Sequence, residues 1–93
     1  MSSYKPRKGS RALIVLRMLD ALSAHGPLIK THVMMEIYTN SALNNRYILY
    51  GMENGLIASE EEPAYGRRYS ITPKGEAVRA KLHDLEKDVP GIW

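Results

Sequence analysis

Met52-Glu53-Asn54-Gly55-Leu56-Ile57 and Gly66-Arg67-Arg68-Tyr69-Ser70-Ile71-Thr72-Pro73-Lys74-Gly75-Glu76 are the stretches that decide how this chain folds. Gly55 tolerates a left-handed backbone and stops a helix running to Asn54. Leu56 to Glu60 then reads as a strand, Glu61 to Gly66 as a loop holding Pro63 and Gly66, and Arg67 to Ile71 as a returning strand. Together they predict a β-hairpin with a long tip. Thr72 and Pro73 supply the cap and first position of a last helix, because proline has no N–H to lose there and its φ is already helical. That helix extends to about Lys87.

Working outward toward the N-terminus, Thr39, Asn40 and Ser41 form a polar turn, and Asn40 or Ser41 can cap the helix that ends at Asn54. Before the turn, Thr31 to Tyr38 places Val33, Met34, Ile37 and Tyr38 on one helical face, with Thr31 as its cap. Two short helices joined by a few polar residues have the spacing of a helix-turn-helix. Gly51, inside the third helix, costs about 1 kcal/mol relative to alanine, which points to close packing or a bend there. Further upstream, Ser10 can cap a first helix over Arg11 to Ala24, with Ala12, Leu13, Leu16, Leu19 and Leu22 at helical spacing. Gly26 and Pro27 end it, and Leu28 with Ile29 can pair as a minor strand with the hairpin. Residues 1–9 read as a flexible basic arm, 10–89 as one domain and 90–93 as a tail.

The chain has 93 residues and no cysteine, which suits one domain without disulfides or thiolate metal sites. The apolar run Ala12 to Leu16 is far shorter than the roughly 20 residues needed to span a bilayer, and it is too short for a secretory signal. A soluble, cytoplasmic protein is expected. Charge is unevenly spread: residues 1–52 carry seven Lys or Arg against two acids, and residues 53–93 six against eight. A basic first half suits a polyanionic partner, although an arm carrying Lys5, Arg7, Lys8 and Arg11 can equally be a solubilising tail.

The order helix, helix, helix, strand, strand, helix, with the Glu-Asn-Gly-Leu-Ile and Thr-Pro-Lys-Gly segments, resembles the winged helix regulators of the PadR and MarR type. The likeness covers roughly residues 10–87. It implies a mainly α fold with a small β-hairpin, a winged helix-turn-helix acting as a dimer on double-stranded DNA. Two departures stand out. Gly51 occupies a position where the family usually has leucine, and only one helix follows the wing, so the family's ligand sensing does not carry over. In size and plan the chain also looks like short archaeal virus and plasmid proteins, including partition adaptors of the AspA type.

In such a fold the third helix enters the major groove with its N-terminal half against base edges. Leu43, Tyr47, Ile48 and Met52 are expected to pack inward, leaving Ser41, Asn44, Asn45 and Arg46 to face DNA. Asparagine can bond adenine at two points and arginine guanine; the alternative for Asn44 and Asn45 is an ordinary solvated surface. Thr31 and His32 open the second helix and would position a phosphate. Arg67 and Arg68 are adjacent on a strand, so they point to opposite faces, and one is expected to reach the DNA backbone or minor groove. Glu60, Glu61 and Glu62 would be repelled by phosphate. They are expected to pair with the arm or another subunit, the alternative being ion pairs with Arg67 or Arg68 themselves. Val78, Leu82, Leu85 and Val89 repeat beyond what one small domain covers, and with Trp93 they suggest a homodimer interface; folding back onto the first helix is the competing account.

Catalysis needs a nucleophile beside a base, a metal cluster or a phosphate-cradling glycine loop. His25, His32 and His83 lack zinc-helix spacing and no glycine-rich loop follows a strand, so no enzyme, cofactor or metal is expected. The resulting expectation is a sequence-specific DNA-binding repressor recognising a palindromic site. A partition adaptor spreading from a centromere-like palindrome, together with another partition or regulatory protein, is one alternative. A winged helix that binds protein is the other.

Overall fold

Ser10 and Gly26 bracket the first helix. The computed structural model describes residues 10–64 and 66–92, the Glu62 side chain excepted. The Ser10 hydroxyl accepts from the Leu13 amide and opens α1, Arg11–His25, and Gly26 at φ +80° closes it. Leu28–Ile29 form β1, which runs directly into α2, Lys30–Ile37. Here Thr31 is not the cap expected from the sequence: Ile29 holds that position and makes no side-chain bond. Leu28 and Ile29 are tied antiparallel to Tyr69 and Arg68, so the chain passes from ladder to helix with no residue left over for a polar cap.

Tyr38 ends α2 in the left-handed conformation, φ 57°. It was expected on the apolar face, but only Val33 and Ile37 of that face are fully buried, while Tyr38 is 80% exposed. Past the end of the helix the backbone swings its ring outward, where the Arg17 guanidinium stacks 5.3 Å from the ring centroid. Asn40 Oδ1 accepts from the Leu43 amide at 2.9 Å and starts α3, Ser41–Glu53; Gly55 at φ +72° turns the chain out of it.

The hairpin consists of β2, Ile57–Glu62, and β3, Gly66–Ile71, and the sheet order is β1-β3-β2, all antiparallel. Its tip is shorter than the sequence suggests, because β2 continues through the glutamates. Glu60 stands opposite Arg68, Glu61 opposite Arg67 and Glu62 opposite Gly66. Facing cations compensate for glutamate's poor fit to a strand.

Thr72 then locks the hairpin to α4, Pro73–Asp88. Its hydroxyl donates to the Gly55 carbonyl at 2.6 Å and accepts from the Gly75 amide at 2.9 Å, while its own amide donates to the Leu56 carbonyl at 3.0 Å. Three turns of chain meet at one threonine.

The core forms around α1, whose Met18, Leu19 and Leu22 pack with Val33 and Ile37 of α2, Ile48 of α3, and Leu56, Ile57 and Tyr69 of the hairpin. Ala12 and Leu13 are only half-buried; the buried face instead includes Ile14 and Val15. A Cβ at Gly51 would lie 3.0 Å from Met18 Cε and 3.1 Å from Ile57 Cδ1, so the glycine lets α3 approach α1 and β2 closely.

A polar clamp joins α1 to α4. Asp20 Oδ1 accepts from Arg79 Nε at 2.7 Å and lies 2.7 Å from His83 Nε2, and Ser23 donates to Glu76 at 3.0 Å. Removing the shared carboxylate with Asp20→Ala is expected to cost about 1 kcal/mol, the charge-assisted bonds being discounted for their partial exposure. Urea denaturation, read as a lower midpoint at unchanged slope, checks it.

Candidate nucleic-acid interface

The buried stripe of α3 is Asn44, Ile48 and Gly51, at steps of four and three. That phase fixes which side chains face out. Ser41, Ala42, Asn45, Arg46 and Leu49 are all exposed; the helical steps put Ala42, Arg46 and Leu49 on the side away from the core, with Asn45 at its edge and Ser41 on the first turn.

Asn44 is therefore not a base-contacting candidate, contrary to the expectation. It is 0% exposed, and its Nδ2 donates to the Lys30 carbonyl at 3.1 Å. This bond pins α3 to the first residue of α2 and helps set the angle between the two helices. Leu43 departs in the opposite sense: expected inward, it is 38% exposed, because the core stripe lies about a quarter turn away. Tyr47 and Met52 are partly buried against the core, and Ile48 is fully buried.

Thr31 and His32 are exposed on the first turn of α2, whose leading N–H groups have no side-chain cap. An uncapped helix start presents unsatisfied donors and the positive end of the helix dipole. Beside it, Pro27, Leu28, Ile29, His32 and Arg68 line an open cleft of about 340 Å³. The wing strand thus brings Arg68 to the same recess as His32.

Arg67 points away from Arg68, as strand alternation requires. It donates to Ser59 Oγ at 3.0 Å and lies 3.8 Å from Glu61 Oε2, with that carboxylate 80% exposed. Glu61 thus pairs within its own hairpin, in line with the alternative of ion pairs with Arg67 or Arg68; the two face each other across the β2–β3 ladder. Such an exposed pair is worth little and does not hold Arg67 against a stronger anion.

On the other flank of α3, Arg11, Leu43, Arg46, Tyr47, Leu49, Tyr50 and Glu53 line a second cleft of about 280 Å³. Arg11 of α1 therefore adds charge beside Arg46, next to exposed Leu43, Leu49 and Tyr50. Ala42 and Leu49, not singled out from the sequence, are exposed on this helix as well. Gly51 held the missing signal: a small residue pressed against neighbours marks the buried side, and counting back by three and seven reaches Ile48 and Asn44.

Along α4, Val78 packs on the core and Leu82 is half-buried, but Leu85 is 39%, Val89 47% and Ile92 46% exposed. The apolar stripe outruns the core of the single chain. Lys5, Arg7, Lys8 and Trp93 lie outside the described residues. Among the described residues no helix is long and apolar enough to cross a membrane.

Three helices followed by a hairpin and a fourth helix, with β1 paired to the returning strand, define a winged helix-turn-helix. The winged helix-turn-helix family model matches residues 8–89, and the chain belongs to that family. Among solved structures, it is similar to a MarR family transcriptional regulator from Silicibacter pomeroyi, with 26% identity and a TM-score of 0.70 over 78% of this chain and 48% of that one. It is also similar in fold to the PcaV transcriptional regulator from Streptomyces coelicolor in complex with its natural ligand, at 21% identity and TM-score 0.69 over 74% of this chain and 50% of that one. Sso10a-2, a DNA-binding protein from Sulfolobus solfataricus, matches at 20% identity and TM-score 0.73 over 85% of this chain and 79% of that one. The chain spans about half the length of the first two regulators. No match was found among curated proteins by sequence.

Proposed function

We propose that this protein is a non-enzymatic, sequence-specific double-stranded-DNA-binding regulator, acting as a homodimeric repressor at a palindromic site. One observation carries the reading: α3 turns Ser41, Asn45 and Arg46 outward in its first turns, beside an uncapped start of α2. Asn45 and Arg46 present the groups that adenine and guanine edges require. Thr31, His32 and Arg68 take backbone phosphate, Arg67 extends that contact along the wing, and Lys5, Arg7 and Lys8 add charge from the arm.

Titration of a labelled random duplex at rising salt tests the proposal. Neutralisation of several phosphates per subunit gives a log-log slope of about −3 to −5. A slope near zero contradicts it and supports the second reading, a winged helix that binds protein, which exposed Leu43, Leu49 and Tyr50 favour. Repression further requires a footprint that stays within the palindrome as protein concentration rises. A footprint that grows outward would instead indicate a partition adaptor.

Dimerisation through α4 is supported by Leu85 and Val89, which a single chain leaves exposed. Placing a charge at both, Leu85→Asp with Val89→Asp, is expected to weaken self-association at least about a hundredfold while leaving the domain folded. Sedimentation velocity checks this. An unchanged dimer would move the interface elsewhere.

A further inference from the structure

Leu49 is 52% exposed on the outward side of α3, and Ala42, two turns earlier, is exposed on the same side. Between them the helix presents Asn45 and Arg46. Exposed leucine is unremarkable on many surfaces, but here it lies on the same stripe as the polar residues assigned to base edges. Seven residues of helix separate the two apolar side chains by about 10 Å, the length of about three base-pair steps.

We infer that Ala42 and Leu49 are specificity-determining residues that contact the 5-methyl groups of thymines flanking the bases met by Asn45 and Arg46. The inference rests on the DNA-binding reading and sharpens it to thymine-containing half-sites. The thymine methyl is the one apolar feature that base pairs present in the major groove, and aliphatic side chains read it by excluding water. Both positions have the chemistry for that contact: neither side chain has a polar atom, and both are free of the core on the face where charged groups would otherwise be placed. Arg46 and Leu49 also line the cleft that holds Arg11, Leu43 and Tyr50; Leu43 and Tyr50 lie more than a quarter turn round the helix from Leu49 and are not assigned to the stripe.

The test begins by selecting bound duplexes from random DNA with the full chain. The selected duplex is then resynthesised with deoxyuridine replacing each thymidine in turn, which removes one methyl group and leaves base pairing intact. For the unaltered protein, at least one replacement per half-site is expected to weaken binding about fourfold, the effect of one buried methyl group. For Leu49→Ala that replacement is expected to have no further effect, while Leu49→Met retains the methyl dependence.

Selected sites without thymine, or equal losses in the unaltered protein and Leu49→Ala, would overturn the inference while leaving DNA binding intact. A change of oligomeric state in Leu49→Ala, with no methyl dependence, would overturn it in favour of a protein contact. Failure to bind any duplex would remove the DNA-binding reading and this inference with it, and is distinguished from the other outcomes by the flat salt titration.

Discussion

Gly75→Ala is expected to destabilise the fold by about 3 kcal/mol, which for a domain of this size lowers Tm by about 12 to 24 °C. The reason is contact and not backbone freedom. A Cβ at position 75 would fall 2.1 Å from the Leu56 carbonyl oxygen and 2.7 Å from Ile71 Cγ1. The carbonyl belongs to the backbone and already accepts the Thr72 amide, so it cannot swing aside as a long side chain would. Relief requires α4 to move away from the hairpin, loosening the bond between Thr72 and Gly55 as well. Lys74→Ala, one residue earlier and exposed, is the control and is expected to stay within about 0.5 kcal/mol. Thermal unfolding followed by circular dichroism separates the two; equal midpoints would show that the junction is looser than these distances state.

Adjacent asparagines give the second large effect, and in opposite senses. Asn44→Ala removes the bond to the Lys30 carbonyl and empties the space of a fully buried side chain, at a cost of about 2 kcal/mol. A fall in Tm of about 8 to 16 °C is expected. Asn45 is exposed, so Asn45→Ala is expected to leave Tm nearly unchanged and to weaken binding to the selected duplex about 5- to 150-fold, the value of one bidentate base contact. Binding to random duplex should change much less, because phosphate contacts dominate there. Measuring unfolding and duplex affinity for both variants checks the assignment. If Asn45→Ala unfolded the protein and Asn44→Ala altered only binding, the helix would be phased the other way.

Much of the architecture was legible because its boundaries are written in residues with narrow backbone roles. Gly26, Gly55, Thr72 and Pro73 each terminate or start an element where the chain does so. The pairing of Leu28 and Ile29 with the hairpin was legible too, as a short apolar run after a helix stop. Less accessible were features set by tertiary contact. The start of α2 depends on β1 being tied to β3, which leaves no room for Thr31 to act as cap. The hairpin tip depends on arginines facing glutamates across the ladder, a cross-strand relation that local composition does not reveal.

The candidate interface was legible by segment and misread by angle. Ser41, Asn45 and Arg46 face outward as their polarity suggests, but Asn44 does not. Hydropathy assigns leucine to the core and asparagine to the surface, whereas the packing of α3 inverts both at Leu43 and Asn44. A rotation of one residue, about 100°, separates the two readings. The buried glycine at 51 settles the phase, since only its side of the helix lies close enough to α1 and β2 to exclude a side chain.

In the proposed complex the outward face of α3 meets duplex DNA. Titrating isotopically labelled protein with the selected duplex and following amide and side-chain resonances by NMR tests it most directly. Shifts should concentrate on Ala42, Asn45, Arg46 and Leu49 and on the first turn of α2, with Arg68 following and the Asp20–His83 clamp unmoved. Shifts confined to α4, or to the Met35 and Tyr38 side of α2, with α3 silent, would contradict the account.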